Sequence, residues 1–355
     1  MIIKDGGSVM KTSLLKRVPL DQLMDLKIDY AFKQLFGTEK NKEITVVFLN
    51  AILNRGGRES IKDITFQNTN SGGEYQEDKQ SRLDILATTN DDEQINIEIQ
   101  FSNKYDMIKR SIYYWSGIYR APMKKNMTYK QLQPVIAINI LNFNLFNQTE
   151  RFHTSYHLYE DEERFKLTDV MEFHFLEMPK LIRDWKQEKL DPWNDLLARW
   201  LLLLGIVDHR NGEVYEDIYK ELEEISMKDE TLKHAFQGWD VLSASHEEVL
   251  AYEARLKQVL DEEAAKREAE LREQEAREKA LKEGLEEGRK EGRNEGRKEG
   301  RNEGRNEGLK EGRKEERKEM IKRMLQQGME KEQVAIIAES SVEEVEKMKV
   351  EEDKE

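Results

Sequence analysis

Asp84, Glu98 and Gln100 are the residues of this chain whose types and spacing could do chemistry. They lie in the stretch from Leu83 to Phe101, LDILATTNDDEQINIEIQF, which reads as two strands joined by a polar turn. Alternation along the second strand puts Asn96, Glu98 and Gln100 on one face and Ile95, Ile97, Ile99 and Phe101 on the other. In an antiparallel pair, opposed residues have a constant index sum. A loop of Asn90-Asp91-Asp92 sets Thr89 against Glu93 and therefore Asp84 against Glu98, with Cβ atoms about 4.5–5.5 Å apart. A loop one residue shorter or longer sends the two carboxylates to opposite faces. Carboxylates this close repel unless a cation lies between them or one takes a proton.

Oxygen ligands favour Mg²⁺ or Mn²⁺ over zinc. In a metal-dependent phosphodiesterase Asp84 and Glu98 would hold the ion, with the backbone carbonyl of Ile99 as a third ligand. Gln100 can hydrogen-bond the attacking water but cannot act as a general base. Arg110, further along, could reach a phosphate. The alternative is a solvated hairpin face with ordinary acids.

The elements around the hairpin must position it. Residues 25–53 read as two helical pieces, the first carrying Phe32, Leu35 and Phe36 on one face and ending at Gly37. Residues 61–67 form a candidate strand and 68–79 a polar, Gly-bearing loop. Residues 103–123 read as a helix with an apolar and aromatic stripe, of which Tyr113, Tyr114 and Trp115 are assigned to the core. The basic cluster Arg120, Lys124, Lys125 and Lys130 follows that helix and is a candidate for backbone phosphate contact. Residues 134–141, PVIAINIL, fit a central strand covered on both faces. Residues 153–159 and 171–178 are further strands, and His153, His157 and His174 among them lack a metal spacing. From Leu181 onward the strands stop and helices follow. The order indicates an α/β layer fold with a mixed sheet and an all-helical C-terminal extension.

Composition places the charge. Residues 1–180 hold 24 Lys/Arg against 25 Asp/Glu, so the remainder carries −13 of the net −14. A nearly neutral half can still bind a polyanion through a local basic patch and a metal ion. The absence of cysteine excludes disulfides, thiolate zinc sites and cysteine nucleophiles, and fits a reducing cytoplasm. No apolar run is long enough to span a bilayer, so no membrane is expected.

Between residues 283 and 312 glycine recurs every four residues, eight times, each preceded by Glu. Each glycine costs a helix about 1 kcal/mol relative to alanine, and the period stacks like charges at i,i+4. The repeat therefore reads as a spacer; a self-associating helix with complementary Glu and Arg stripes is the alternative. Beyond it, apolar patterns separated by Gly328, with a helix start at Ser341, indicate a small helical hairpin.

Asp84, thirteen intervening residues and then Glu98-x-Gln100 resembles the PD-(D/E)XK nuclease core, with Leu83 for the proline and Gln100 for the lysine. DLKIDYAFKQLFG from Asp25, FLNAIL from Phe48, IEIQ from Ile97, RSIYYW from Arg110 and PVIAI from Pro134 extend the likeness. Together they resemble the Rpn family of recombination-promoting nucleases, also called PD-(D/E)XK family transposases, over residues 20–180. The resemblance implies a restriction-endonuclease-like core, metal-dependent DNA endonuclease activity and a supporting acidic role for Asp29. Without the lysine, the cationic partner is a second metal, Lys27, Lys33 or Arg110. The expected organisation is an extension at 1–20, the nuclease-like domain at 21–180, a helical bundle at 181–245, a long charged helix at 246–285, the spacer at 286–315 and the hairpin at 316–355. Homo-oligomerisation through the C-terminal helices is expected, and an inactive nuclease-fold scaffold that binds DNA is the alternative function.

Overall fold

The computed structural model describes residues 18–67, 83–103 and 106–352, with side chains described to residue 348. The loop expected at 68–79 and most of the N-terminal extension lie outside them. The chain begins with α1 (Asp29–Phe36) and α2 (Lys42–Leu53), followed by β1 (Ile64–Phe66), β2 (Ile85–Thr89) and β3 (Gln94–Gln100). Then come α3 (Met107–Arg120), β4 (Val135–Leu141), β5 (His153–His157) and β6 (Met171–Glu177). The helices α4 (Met178–Lys186) and α5 (Leu196–Gly205) lead to a ribbon of β7 (Val207–Asp208) and β8 (Glu213–Val214). Helices α6 (Glu216–Ser226), α7 (Glu230–Ala244), α8 (His246–Gln326), α9 (Lys331–Ile337) and α10 (Val342–Glu352) complete it.

Six strands form one mixed sheet in the order β1-β2-β3-β4-β6-β5. β3, β4 and β6 run parallel, while β1, β2 and β5 join antiparallel. Every residue of β4 is buried, as an uninterrupted apolar run at the centre of a two-sided sheet requires. One face carries Ile95, Ile97, Ile99, Ile136, Ile138 and Ile140 against Phe32, Phe36, Phe48 and Trp200. The other packs Val135, Ala137, Phe173 and Phe175 against Met107, Trp115 and Ile118 of α3.

α1 ends at Gly37, which leaves helical geometry at φ −104° and ψ 14° while its N–H makes the last helical bond, to Lys33 O at 2.8 Å. A Cβ on Gly37 would lie 2.8 Å from that same carbonyl, so the close approach needs glycine. On α3, Asp106 caps the first turn through Lys109 N at 3.1 Å, and Ser111 receives Asn139 Nδ2 at 2.9 Å across to β4. Only Trp115 of the aromatic triplet is buried. Tyr113 is 58 % exposed, because consecutive residues on a helix point about 100° apart and one face cannot hold all three.

The core does not stop at residue 180. Trp200 to Leu204, Ile218, Phe236 and Trp239 belong to the same apolar cluster as the sheet, and so do Tyr252 and Val259 of α8. The strands also do not stop at 181: α5 ends at Gly205, and Val207 pairs with Val214 around a turn closed by Gly212 at φ 65°. Two compact units result, residues 1–267 and 268–355.

α8 continues through the glycine repeat as one helix to Gln326, where the sequence reads as a spacer. Breaking it there would create two further ends, each with about four unsatisfied backbone groups, and a renucleation cost. A Cβ at any of the eight glycines would meet nothing within 4 Å. In the second unit Ile321, Val334, Ala335, Ala338 and Val345 close a small core, with Gly328 at φ 84° turning the chain between α8 and α9. Ser341 and Glu344 cap α10 reciprocally.

Candidate active site

Asp84 stands just before β2, and the β2–β3 register fixes what it faces. Ile85 pairs with Ile97 and Thr88 with Gln94, a constant sum that places Asp84 against Glu98. The turn is Asn90-Asp91-Asp92, closed by Thr89 N to Glu93 O at 2.9 Å, with Asp92 left-handed at φ 62°. The three-residue loop thus gives the facing carboxylates that the index sum requires.

Both acids are buried; Glu98 is 1 % exposed and Asp84 9 %. Asp84 Oδ2 accepts from Ile99 N at 2.8 Å, and Lys33 Nζ reaches Oδ1 at 3.0 Å. Among the described residues Glu98 is held by long contacts: Asp84 N and Asn96 Nδ2 to Oε1 and Arg110 Nη2 to Oε2, each at 3.4 Å. Arg110 Nη1 donates to Gln100 Oε1 at 3.2 Å, and its guanidinium lies over the Tyr114 ring at 5.1 Å. Burial pushes the Glu98 carboxyl up to about 8, the Asp84 charge adds to this, and Arg110 opposes it. Burial raises Asp84 as well; Lys33 opposes the rise and Asp29 reinforces it. Two carboxyls raised above their ordinary range, side by side, form a site short of positive charge.

The residues suit a hard divalent ion. The donors are oxygens, and among the described residues Glu98 has no hydrogen bond shorter than 3.4 Å and the buried Asn96 Oδ1 beside it has no partner. Ile99 N–H points towards Asp84, so Ile99 C=O leaves β3 on the same side, beyond the last β2 pair. Among the described residues no group of three or more His, Cys, Asp or Glu side chains converges as a ready-made cage. A site here would consist of two carboxylates and a backbone carbonyl.

Asp29, at the start of α1, comes to the same corner. Both its oxygens are engaged by Arg255 Nε of α8, at 2.8 and 3.0 Å. Lys27 does not reach the site: it is buried, bonded to Val207 O and paired with Asp25 at 2.9 Å. Of the expected nucleic-acid contacts only Arg110 is at the pair. Arg120 lies ten residues further, about 15 Å along α3, with Lys124 and Lys125 exposed beyond it.

Arg255 is absent from the sequence-based candidates, because the long charged helix reads as lying outside the domain. Its signal was the apolar spacing of Val249, Tyr252, Leu256 and Val259, which gives the start of α8 a buried face. The three sheet histidines form a network rather than a cage. His153 Nε2 meets His174 Nδ1 at 2.8 Å, His174 Nε2 meets Glu172 at 2.7 Å, and His157 stands 3.6 Å from Glu172.

The model of the PD-(D/E)XK nuclease family transposases matches residues 26–269, more than half of the chain. The chain belongs to this family. The match runs past α7 into α8 and takes in Arg255 together with the hairpin. A nuclease- or transposase-related protein with a mixed-sheet core and a helical extension is therefore established. Neither the curated proteins nor the solved structures give a match. No described helix is long and apolar enough to cross a membrane.

Proposed function

We propose that the chain is a divalent-metal-dependent DNA endonuclease of the Rpn type, whose nicks or breaks promote recombination or mobile-element exchange. The facing, buried Asp84–Glu98 pair, with Glu98 held by long contacts, carries this reading. Asp84, Glu98 and the Ile99 carbonyl would hold Mg²⁺ or Mn²⁺, which when bound supplies a polarised water and positive charge against the phosphate. Lys33 and Arg110 each neutralise one of these carboxylates, and both are then in position to turn to a phosphate oxygen. Lys33 is the better candidate for the missing lysine of the motif, since it approaches Asp84 from α1 with about a third of its side chain exposed. Gln100, held through Oε1 by Arg110, would orient the water through its amide. Asp29 supports the charge balance through Arg255.

Arg110, Arg120, Lys124 and Lys125 would follow a phosphate backbone. The span from Arg110 to Arg120, about 15 Å, corresponds to roughly four base-pair rises of 3.4 Å. The C-terminal helices would bring copies together, and a cytoplasmic location agrees with the absence of cysteine. The test is nicking of supercoiled plasmid by the full chain. Cleavage should require Mg²⁺ or Mn²⁺ and stop with EDTA. Salt-sensitive DNA binding without cleavage under any divalent ion would instead favour a nuclease-fold scaffold.

A further inference from the structure

Three acids meet at this corner, and each has its own cation: Asp84 has Lys33, Glu98 has Arg110 and Asp29 has Arg255. The third pair differs from the other two. Lys33 and Arg110 hold their partners by a single contact at 3.0 and 3.4 Å, whereas Arg255 Nε contacts both oxygens of Asp29. Asp29 lies one helical turn before Lys33 on α1, close enough for its charge to act on Asp84, and Arg255 also lies within the field of Asp84. Asp29 is thus where a second ion would find a ligand.

Arg255 is also fixed in place. Its stretch of α8 is anchored by Tyr30 Oη to Glu248 at 2.7 Å and by Asp25 N and His209 to the Tyr252 hydroxyl at 2.9 and 2.6 Å. The buried Val259 and the Arg210–Glu263 ion pair secure the following turns. A guanidinium does not deprotonate in a protein, so this positive charge is permanent. We propose that the site takes one divalent ion and that Arg255 is the resident substitute for a second. It is a positioning residue that neutralises Asp29 and keeps that carboxylate from binding metal. This rests on the metal-dependent reading of the Asp84–Glu98 pair.

The experiment is Mn²⁺ binding to the full chain, with stoichiometry read by electron paramagnetic resonance and calorimetry. The parent should bind one ion, and Asp84→Asn and Glu98→Gln should bind none. Asp29→Asn should also bind one, with its affinity lowered by the unpaired charge of Arg255. Arg255→Met should bind two, and Arg255→Met with Asp29→Asn should return to one. Arg255→Lys, which keeps the charge, should stay at one. Two ions on the parent, one on Arg255→Met, or no ion on Asp29→Asn overturns the proposal while leaving the metal-dependent reading standing. No Mn²⁺ on any form overturns both.

Discussion

At the scale of single residues the site is a small lattice of opposite charges around two buried carboxylates. Burial alone would drive each carboxyl to its neutral form; Lys33 and Arg110 offset this only in part. Such a centre gains most from a divalent ion, and once one is bound the two side-chain cations are no longer needed by the acids. Lys33→Met should therefore retain Mn²⁺ binding and lose about 10²–10³-fold in cleavage rate, the effect of removing one preorganised charge from a transition state. Steady-state cleavage beside a metal titration checks it; parent-level cleavage would exclude Lys33, and lost metal binding would make its role structural. Asp84, Glu98 and Gln100 were legible from alternation and a loop count. Lys33 was one of three candidate cations that the sequence could not rank, and Arg255 was not legible, because helical residues reach a strand-borne site through tertiary packing that no local period records.

At the scale of elements, the three-residue turn sets the geometry. Inserting one glycine after Asp91 lengthens the loop to four and opposes the two carboxylates across the sheet. Metal-dependent cleavage should fall below about 1 % of the parent, in the range that loss of a catalytic group gives; undiminished cleavage would show that the facing pair is not the centre. The opposite sheet edge makes a separate prediction. Burial, with the neighbouring His174, lowers His153 to about 4. Burial alone would raise Glu172, yet His174, His157 and Arg55 together leave it below its ordinary value. An ionised Glu172 accepts from His174 Nε2, and His153 Nε2 shares a single hydrogen bond with His174 Nδ1. His153 is neutral in the fold, while the unfolded chain binds a proton below about 6.5. Its contribution is complete above pH 6.5 and is lost as pH falls towards 4, by about 1.4 kcal/mol per unit. Melting curves should show the advantage of the parent over His153→Gln shrinking across that window; parallel curves would contradict the assignment. The central strand and the two helices before the hairpin were readable from apolar runs and Gly37. The β7–β8 ribbon was not, since two-residue strands leave no period.

At the scale of the whole molecule, the boundaries inferred from composition and those set by packing differ. Charge density rises in the second half of the chain, yet the apolar cluster runs from α1 to Val259, and the family match ends at residue 269. Composition marks where a helix face is solvated, not where the core ends. Glycine content misleads similarly in the repeat, where the helix continues despite eight positions of poor propensity. Because added Cβ atoms there meet nothing, replacing those eight glycines with alanine should raise helix stability by about 1 kcal/mol each. Ellipticity at 222 nm during heating reads this directly. Lower helicity in the alanine form would mean that the glycines serve a close approach by another helix.

The most direct test of the central claim is supercoiled-plasmid cleavage by the parent, Asp84→Asn and Glu98→Gln side by side in Mg²⁺ and in Mn²⁺. The paired-carboxylate centre predicts cleavage by the parent and at least a hundredfold loss in both variants with their folds intact, on the scale expected when the groups supporting metal catalysis are removed. Cleavage by either variant at the parent's rate would contradict it.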